Sequence, residues 1–303
     1  MYHQQFKKGR REFISTSLKA AGAAVFIGEG FEGFEKNRHA EKAFTVQEVI
    51  DIILKEIPVA PLPQTVDTIK SGSAGNKVSG IITTMFTTVD VINAAAKLNA
   101  NFVIAHEPTF YNHEDRLDYV PDNKIVQQKR ALLKRYNITV WRFHDYWHSC
   151  KPDGITYGVV KSVGWLPYYE PGKKVIKIPS LSLNDLVGHF KSKLGIEHVR
   201  VIGNPDQQCE RIGLLPGAEG GEMQISLAEK EKPDVLVVGE LSEWETGEYI
   251  RDSIAFGEKT SLIVLGHSVS EEPGMEWLVE WLKPKVPGLN ITHLPSGNPF
   301  RWM

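Results

Sequence analysis

The dipeptide His106-Glu107 closes the apolar run Asn101-Phe102-Val103-Ile104-Ala105, and Pro108 breaks the backbone directly after it. A buried strand that stops on an imidazole and a carboxylate delivers two polar ligands to the rim of a sheet, where α/β proteins hold their chemistry. Alone, such a pair usually faces water, so its weight must come from partners elsewhere in the chain. Two more apolar runs end in the same way. Residues 138–143 lead into His144-Asp145-Tyr146-Trp147-His148, and residues 261–265 lead into Gly266-His267, with Glu271 four positions on. The spacing of His267 and Glu271 lets one helical turn aim both at a single ion. Histidine with carboxylate, and no cysteine required, is the ligand set of Zn, Mn or Fe rather than of a thiolate structural zinc.

These side chains need a sheet to carry them to one edge. Thr45 with Glu48 forms a capping box that opens a helix with apolar positions at Val46, Val49, Ile50, Ile53 and Leu54. The pattern then predicts strands at 78–84, 102–105, 138–143, 175–178, 199–202, 211–215, 233–238, 261–265 and 289–294. Helices are predicted between them, including 89–98, 123–136, 157–163, 182–194 and 243–256. Pro273 is read as the first turn of a helix reaching Leu282, and 58–75 as an irregular Pro/Gly/Ser-rich connection. Strands alternating with helices predict an α/β fold, a parallel or mixed sheet with helices on both faces. The stretch 78–107 is echoed by 211–240, each reading strand, helix, strand, acidic rim, which suggests a duplication.

With 303 residues, 42% of them hydrophobic, the chain can bury a sizeable core. Lys and Arg number 35 against 37 Asp and Glu, a net charge of -2, and no basic excess exists to hold a nucleic acid or an anionic membrane. Residues 1–43 read as a signal and linker. Arg10-Arg11-Glu12-Phe13-Ile14 followed by the short apolar run 20–28 looks like a twin-arginine export signal, too short to span a bilayer. It implies passage through the twin-arginine translocase to the periplasm, with tethering to the membrane if the signal is not removed. Cys150 and Cys209 are read as inert thiols, with a disulfide left open. The loop holding Gly217, Gly220 and Gly221 could offer amides to an anion, but it lacks the G-x-G-x-x-G pattern and reads as a tight turn. Neither a P-loop nor a Ser-His-Asp spacing is found.

The segments NFVIAHEPTFY, WRFHDYWH with DGITYGV after it, PGAEGGE with DVLVVGE, and GHSVSEEPGMEWL together resemble, in order and spacing, the Nif-three-like proteins, the GTP cyclohydrolase I type 2 homologues. The resemblance runs from about Ala43 to Pro299. It implies two intertwined α/β halves, about 44–165 and 175–303, assembled into a toroidal hexamer with a two-metal site. Carried over position by position, the ligands fall on His106, Glu107, His148, His267 and Glu271. Glu107 replaces a histidine and His148 replaces an aspartate, so three imidazoles and two carboxylates are kept. We therefore expect a working site for two divalent transition-metal ions (Zn, Mn or Fe) that share an activated bridging water. His144, with Asp145 beside it, is a candidate for orienting a ligand or moving a proton, or a hydrogen-bonded structural histidine; Glu107 is the other candidate proton carrier. Tyr146 and Trp147 read as pocket wall or core. Phe86 stands where the family has an aspartate, Trp244 where it has a histidine, and Val66-Asp67-Thr68 matches its Trp-Asp-Asn only faintly. The implied function is a metal-dependent hydrolase of a small molecule whose identity these changes leave open. The rival reading is a non-catalytic ring that binds, stores or delivers metal.

Overall fold

The computed structural model describes residues 43–303. The expected export signal and its linker lie outside the described residues.

Two five-stranded mixed sheets form the frame. The first has the order β1 (Ile69–Ser71), β4 (Thr139–Arg142), β3 (Phe102–Ala105), β2 (Ile81–Thr84), β10 (Ile291–His293), and the second β5 (Val175–Ser182), β7 (Gln208–Leu215), β8 (Val235–Val238), β9 (Ser261–Val264), β6 (Arg200–Ile202). In each, three sequential strands run parallel at the centre, and an antiparallel strand covers the third: β1 against β4, β6 against β9. Strands β1–β4 and β6–β9 thus follow the same order, while the fifth strands differ, β10 running parallel to β2 and β5 antiparallel to β7. The last strand, β10, follows the strands of the second sheet in sequence yet pairs in parallel with β2 of the first. Central strands β2, β3, β4, β8 and β9 are buried at every position, as parallel strands covered on both faces must be.

Alternation along the strands sorts side chains into three cores. Ile81, Phe102, Ile104, Trp141, Ile212, Val235, Val237 and Ile263 face a shared central core with helices α1 (Val46–Lys55), α5 (Gly154–Ser162) and α9 (His267–Leu282). Ile82, Val103 and Val140 face α2 (Val89–Lys97) and α3 (Lys124–Arg135) on the outside. Leu236, Val238 and Leu262 face α7 (Gly221–Glu231) and α8 (Glu248–Ala255) on the other outer side. The capping box at Thr45 and Glu48 forms as expected, and Ser182 caps α6 (Leu183–Leu194).

Three details differ from expectation. Helix α9 begins at His267, so Pro273 sits inside it rather than in its first turn. Proline removes only one helical hydrogen bond there, and close packing compensates: at the crossing of α5 and α9 a Cβ on Gly158 would lie 2.4 Å from the Pro273 carbonyl, and one on Gly274 would lie 2.6 Å from Ile155 Cα. A short helix, α4 (Asp145–Ser149), follows β4, and β1 lies within the stretch read as irregular. Cys150 and Cys209 are both free thiols, with Cys209 buried in the central core.

Candidate metal centre

Register brings the polar strand ends together. Ala105 pairs with Arg142, and the ladder continues from Phe143 N–H to the Ala105 carbonyl at 2.9 Å, so His106 and His144 leave the first sheet side by side. Helix α4 then carries His148 one turn beyond His144. Its N-cap, His144, supplies no side-chain bond. The cap comes from Asp67 instead, whose Oδ1 accepts the N–H of His144 at 2.7 Å and of Asp145 at 3.1 Å while Oδ2 accepts that of Tyr146 at 2.8 Å. In the second sheet Val238 pairs with Val264, and Gly266, at φ 105°, turns the chain straight into α9. That turn sets His267 and Glu271 on one face. Gly217, at φ 69°, leaves the space Glu271 occupies, since a Cβ there would lie 2.1 Å from its Oε1.

Glu107, His148, His267 and Glu271, with His144, line one cavity, and the fifth sequence-predicted ligand, His106, lies fully buried against them. Four imidazoles are anchored through Nδ1: His106 on the Phe143 carbonyl at 3.1 Å, His144 on Asp145 at 2.8 Å, His148 on Asp153 at 2.9 Å, and His267 on Glu240 at 3.1 Å. A carbonyl can only accept, so His106 carries its proton on Nδ1 and its Nε2 is a bare lone pair. That Nε2 is buried without a hydrogen-bond partner. An acceptor behind one ring nitrogen and a lone pair in front is how metal-bound histidines are held. His106, His144 and His148 offer ligand atoms within 4.8 Å of one another, and so do His106, Glu107 and Glu271. His267 Nε2 lies 3.4 Å from Glu107 Oε1 and 3.1 Å from Glu271 Oε2. The cavity beside the cluster measures about 560 Å³, and its lining also includes Tyr169, Lys174 and Glu219, the last two ion-paired.

Charge is sorted within the cluster. Burial, helped by neighbouring imidazoles, pushes His106 well below the ordinary histidine value and lowers His144, so both rings are neutral. Burial would lower His148 too, but Asp153 outweighs it and lifts the ring to about 9. His267 is pushed up to about 12, because hydrogen bonds to Glu107, Glu240 and Glu271 overcome the desolvation of its ring. Glu107, although burial opposes ionisation, is held far below the usual carboxylate range chiefly by the hydrogen bond and positive charge of His267. Burial raises Glu271.

Sequence reasoning missed several contributors. Asp153 and Glu240 orient imidazoles, Asp67 caps α4, and Arg142 lies with Nη2 3.5 Å from Glu107 Oε2. A charged residue in a strand buried at every position was the signal for Arg142. Tyr146 and Trp147 belong to the core, while Phe86 packs edge-on against His267 at 5.9 Å. Trp244 is exposed.

A family model described as Duf34/NIF3 (NGG1p interacting factor 3) matches residues 44–299. The chain belongs to the DUF34/NIF3 family. Among its relatives, a GTP cyclohydrolase 1 type 2 homolog of Clostridium acetobutylicum is 24% identical over 241 residues, 75% of this chain and 85% of the relative. Two solved structures share the fold. Staphylococcus aureus protein SA1388 superposes with a TM-score of 0.68 at 17% identity, covering 86% of this chain and 99% of its own. The Bacillus cereus protein related to NIF3 also gives 0.68, at 16% identity, covering 86% of this chain and all of its own (100%).

Proposed function

We propose that this DUF34/NIF3 protein is a metal-dependent hydrolase whose two divalent ions are held by His106, Glu107, His148, His267 and Glu271. One observation carries the reading: the buried, unpartnered Nε2 of His106 among imidazoles that are each anchored from behind. An orphaned lone pair beside two buried carboxylates fits a cation and little else. Bound transition ions supply Lewis acidity and a water made nucleophilic near neutral pH.

The chain's own residues do the rest. Glu107 is ionised far below its ordinary range and so makes a poor proton carrier, whereas His144 is neutral with Nδ1 fixed on Asp145. Its Nε2, 3.8 Å from Glu107 Oε1 on the cavity wall, is the better placed group to take up a proton from the attacking water and return it to a leaving group. Tyr169 and Lys174 in the cavity lining give a small polar substrate something to lie against. The relatives' name implies cyclohydrolase chemistry; our reading takes the hydrolase class from it and leaves the ring system open. We propose the expected oligomer as well, with exposed apolar side chains such as Trp244, Phe256, Phe300 and Trp302 as candidates for its contacts.

The deciding experiment loads the full chain with Zn, Mn or Fe(II) and offers phosphoesters, nucleotides and cyclic amides. Turnover that needs metal and is lost in His144→Ala, with metal content unchanged, supports the hydrolase. Metal uptake with no turnover of any substrate favours a protein that binds and delivers the ion.

A further inference from the structure

Arg142 ends β4 with its side chain fully buried, in a strand whose other residues are Thr139, Val140 and Trp141. A guanidinium tolerates such a place only when its donors and charge are answered. Its Nε donates to the His106 carbonyl at 3.1 Å and its Nη1 to the His113 carbonyl, clamping both ends of the segment 106–113. Asp115 Oδ2 is 3.9 Å from Nη1, but it is shared with Lys70 at 3.6 Å. Nη2 is left without a hydrogen-bond partner, and it stands 3.5 Å from Glu107 Oε2. The other oxygen of Glu107, Oε1, is the one turned to the imidazoles: 3.4 Å from His267, 3.8 Å from His144 and 4.0 Å from His106. The carboxylate is divided between a cation behind and ligand groups in front.

We infer that Arg142 is a positioning residue that makes Glu107 a one-oxygen metal ligand, its charge paired with Oε2 while Oε1 faces the imidazoles that would share the ion. The inference rests on the metal-centre reading above. A neutral imidazole at position 107 would need no counter-charge. A glutamate brings a full negative charge next to Glu271 in a buried cluster, and both of its oxygens could chelate the same ion. A fixed guanidinium behind it offsets the charge and removes the second oxygen from competition.

The test is a double-mutant cycle between Arg142→Gln and Glu107→Gln in the metal-free full chain. Cobalt(II) is titrated in and its visible absorption followed, beside the melting temperature of each metal-free protein. Arg142→Gln should weaken cobalt binding about 10–100-fold and alter the visible spectrum, as the released carboxylate changes its mode of binding. In the Glu107→Gln background the same substitution should leave affinity unchanged, while the melting-temperature loss from the broken carbonyl clamp is equal in both backgrounds. Should Arg142→Gln not fold, Arg142→Lys keeps the charge without the fork and is carried through the same cycle with the same expectation. Equal loss of affinity in both backgrounds overturns the inference and makes Arg142 a buttress of its loop. A wild-type chain that takes up no cobalt overturns the metal reading and the inference with it, whereas uptake without coupling overturns the inference alone.

Discussion

Loading the centre with metal must expel protons, and the structure sets how many. Ligation requires neutral imidazoles, yet in the metal-free protein His267 is pushed up to about 12 by its three carboxylate partners and His148 to about 9 by Asp153. Both are protonated throughout the neutral range. His106 and His144 are already neutral and release nothing. Filling both positions near pH 7 therefore liberates at least two protons per chain, to which Glu271, whose carboxyl burial raises, and a water activated by the ions can only add. Each released proton makes binding tenfold tighter per pH unit, so the product of the two binding constants should rise at least about 100-fold per unit, roughly 2.7 kcal/mol, between pH 6 and 8. Calorimetric titration of the metal-free protein with Zn in two buffers of different ionisation enthalpy counts the protons directly. His267→Ala should lower the count by one. Affinity that does not change with pH, or release of fewer than one proton, would refute the reasoning, because His267 could not then be an imidazolium that gives way to metal.

Without metal, the same groups set how stability depends on pH. His267 has a folded value near 12 against 6.5 when unfolded, so its contribution is complete below pH 6.5 and is lost as pH rises towards 12. Glu107 has a depressed value, so its contribution is present above about 4.5 and is lost as pH falls below that. The melting temperature of the metal-free protein should thus decline from pH 6.5 to 9, and His267→Asn should flatten that decline. Gly217→Ala puts a methyl into the space of the Glu271 carboxylate at a left-handed backbone position; it should destabilise by about 1–3 kcal/mol in thermal melts and abolish uptake of one ion. Asp67→Ala removes the three acceptor bonds that cap α4; a loss of about 0.5–2 kcal/mol is expected, with weaker metal binding through His148 and unchanged cavity electrostatics at His267 by NMR titration.

The frame was legible because its strands are four-residue apolar runs buried on both faces, such as 102–105 and 235–238, each stopping on a polar group. His106, Glu107, His148, His267 and Glu271 could be read from those endings and from the resemblance, and the structure gathers them in one place. What held them there was harder to read. Helix α4 has five residues, too few for a period, and its cap comes from Asp67, far away in the chain and within a stretch with no regular pattern. β1 is three half-buried residues whose strand character exists only through pairing with β4. Pro273 signalled a helix start because isolated proline favours first turns, and only the α5–α9 crossing at Gly158 and Gly274 shows why an interior proline is tolerated. Asp153 and Glu240 orient imidazoles from other segments, a relation that spacing along the chain does not encode.

The central claim is that these converging side chains hold two ions. Elemental analysis of the purified full chain, isolated with transition metals supplied and run beside Glu107→Ala and His267→Ala, tests it most directly. The account predicts about two divalent transition ions per wild-type chain by the ligand count of such centres, and a clear loss in each variant. A wild-type chain without transition metal, or variants that keep the full complement, would contradict it.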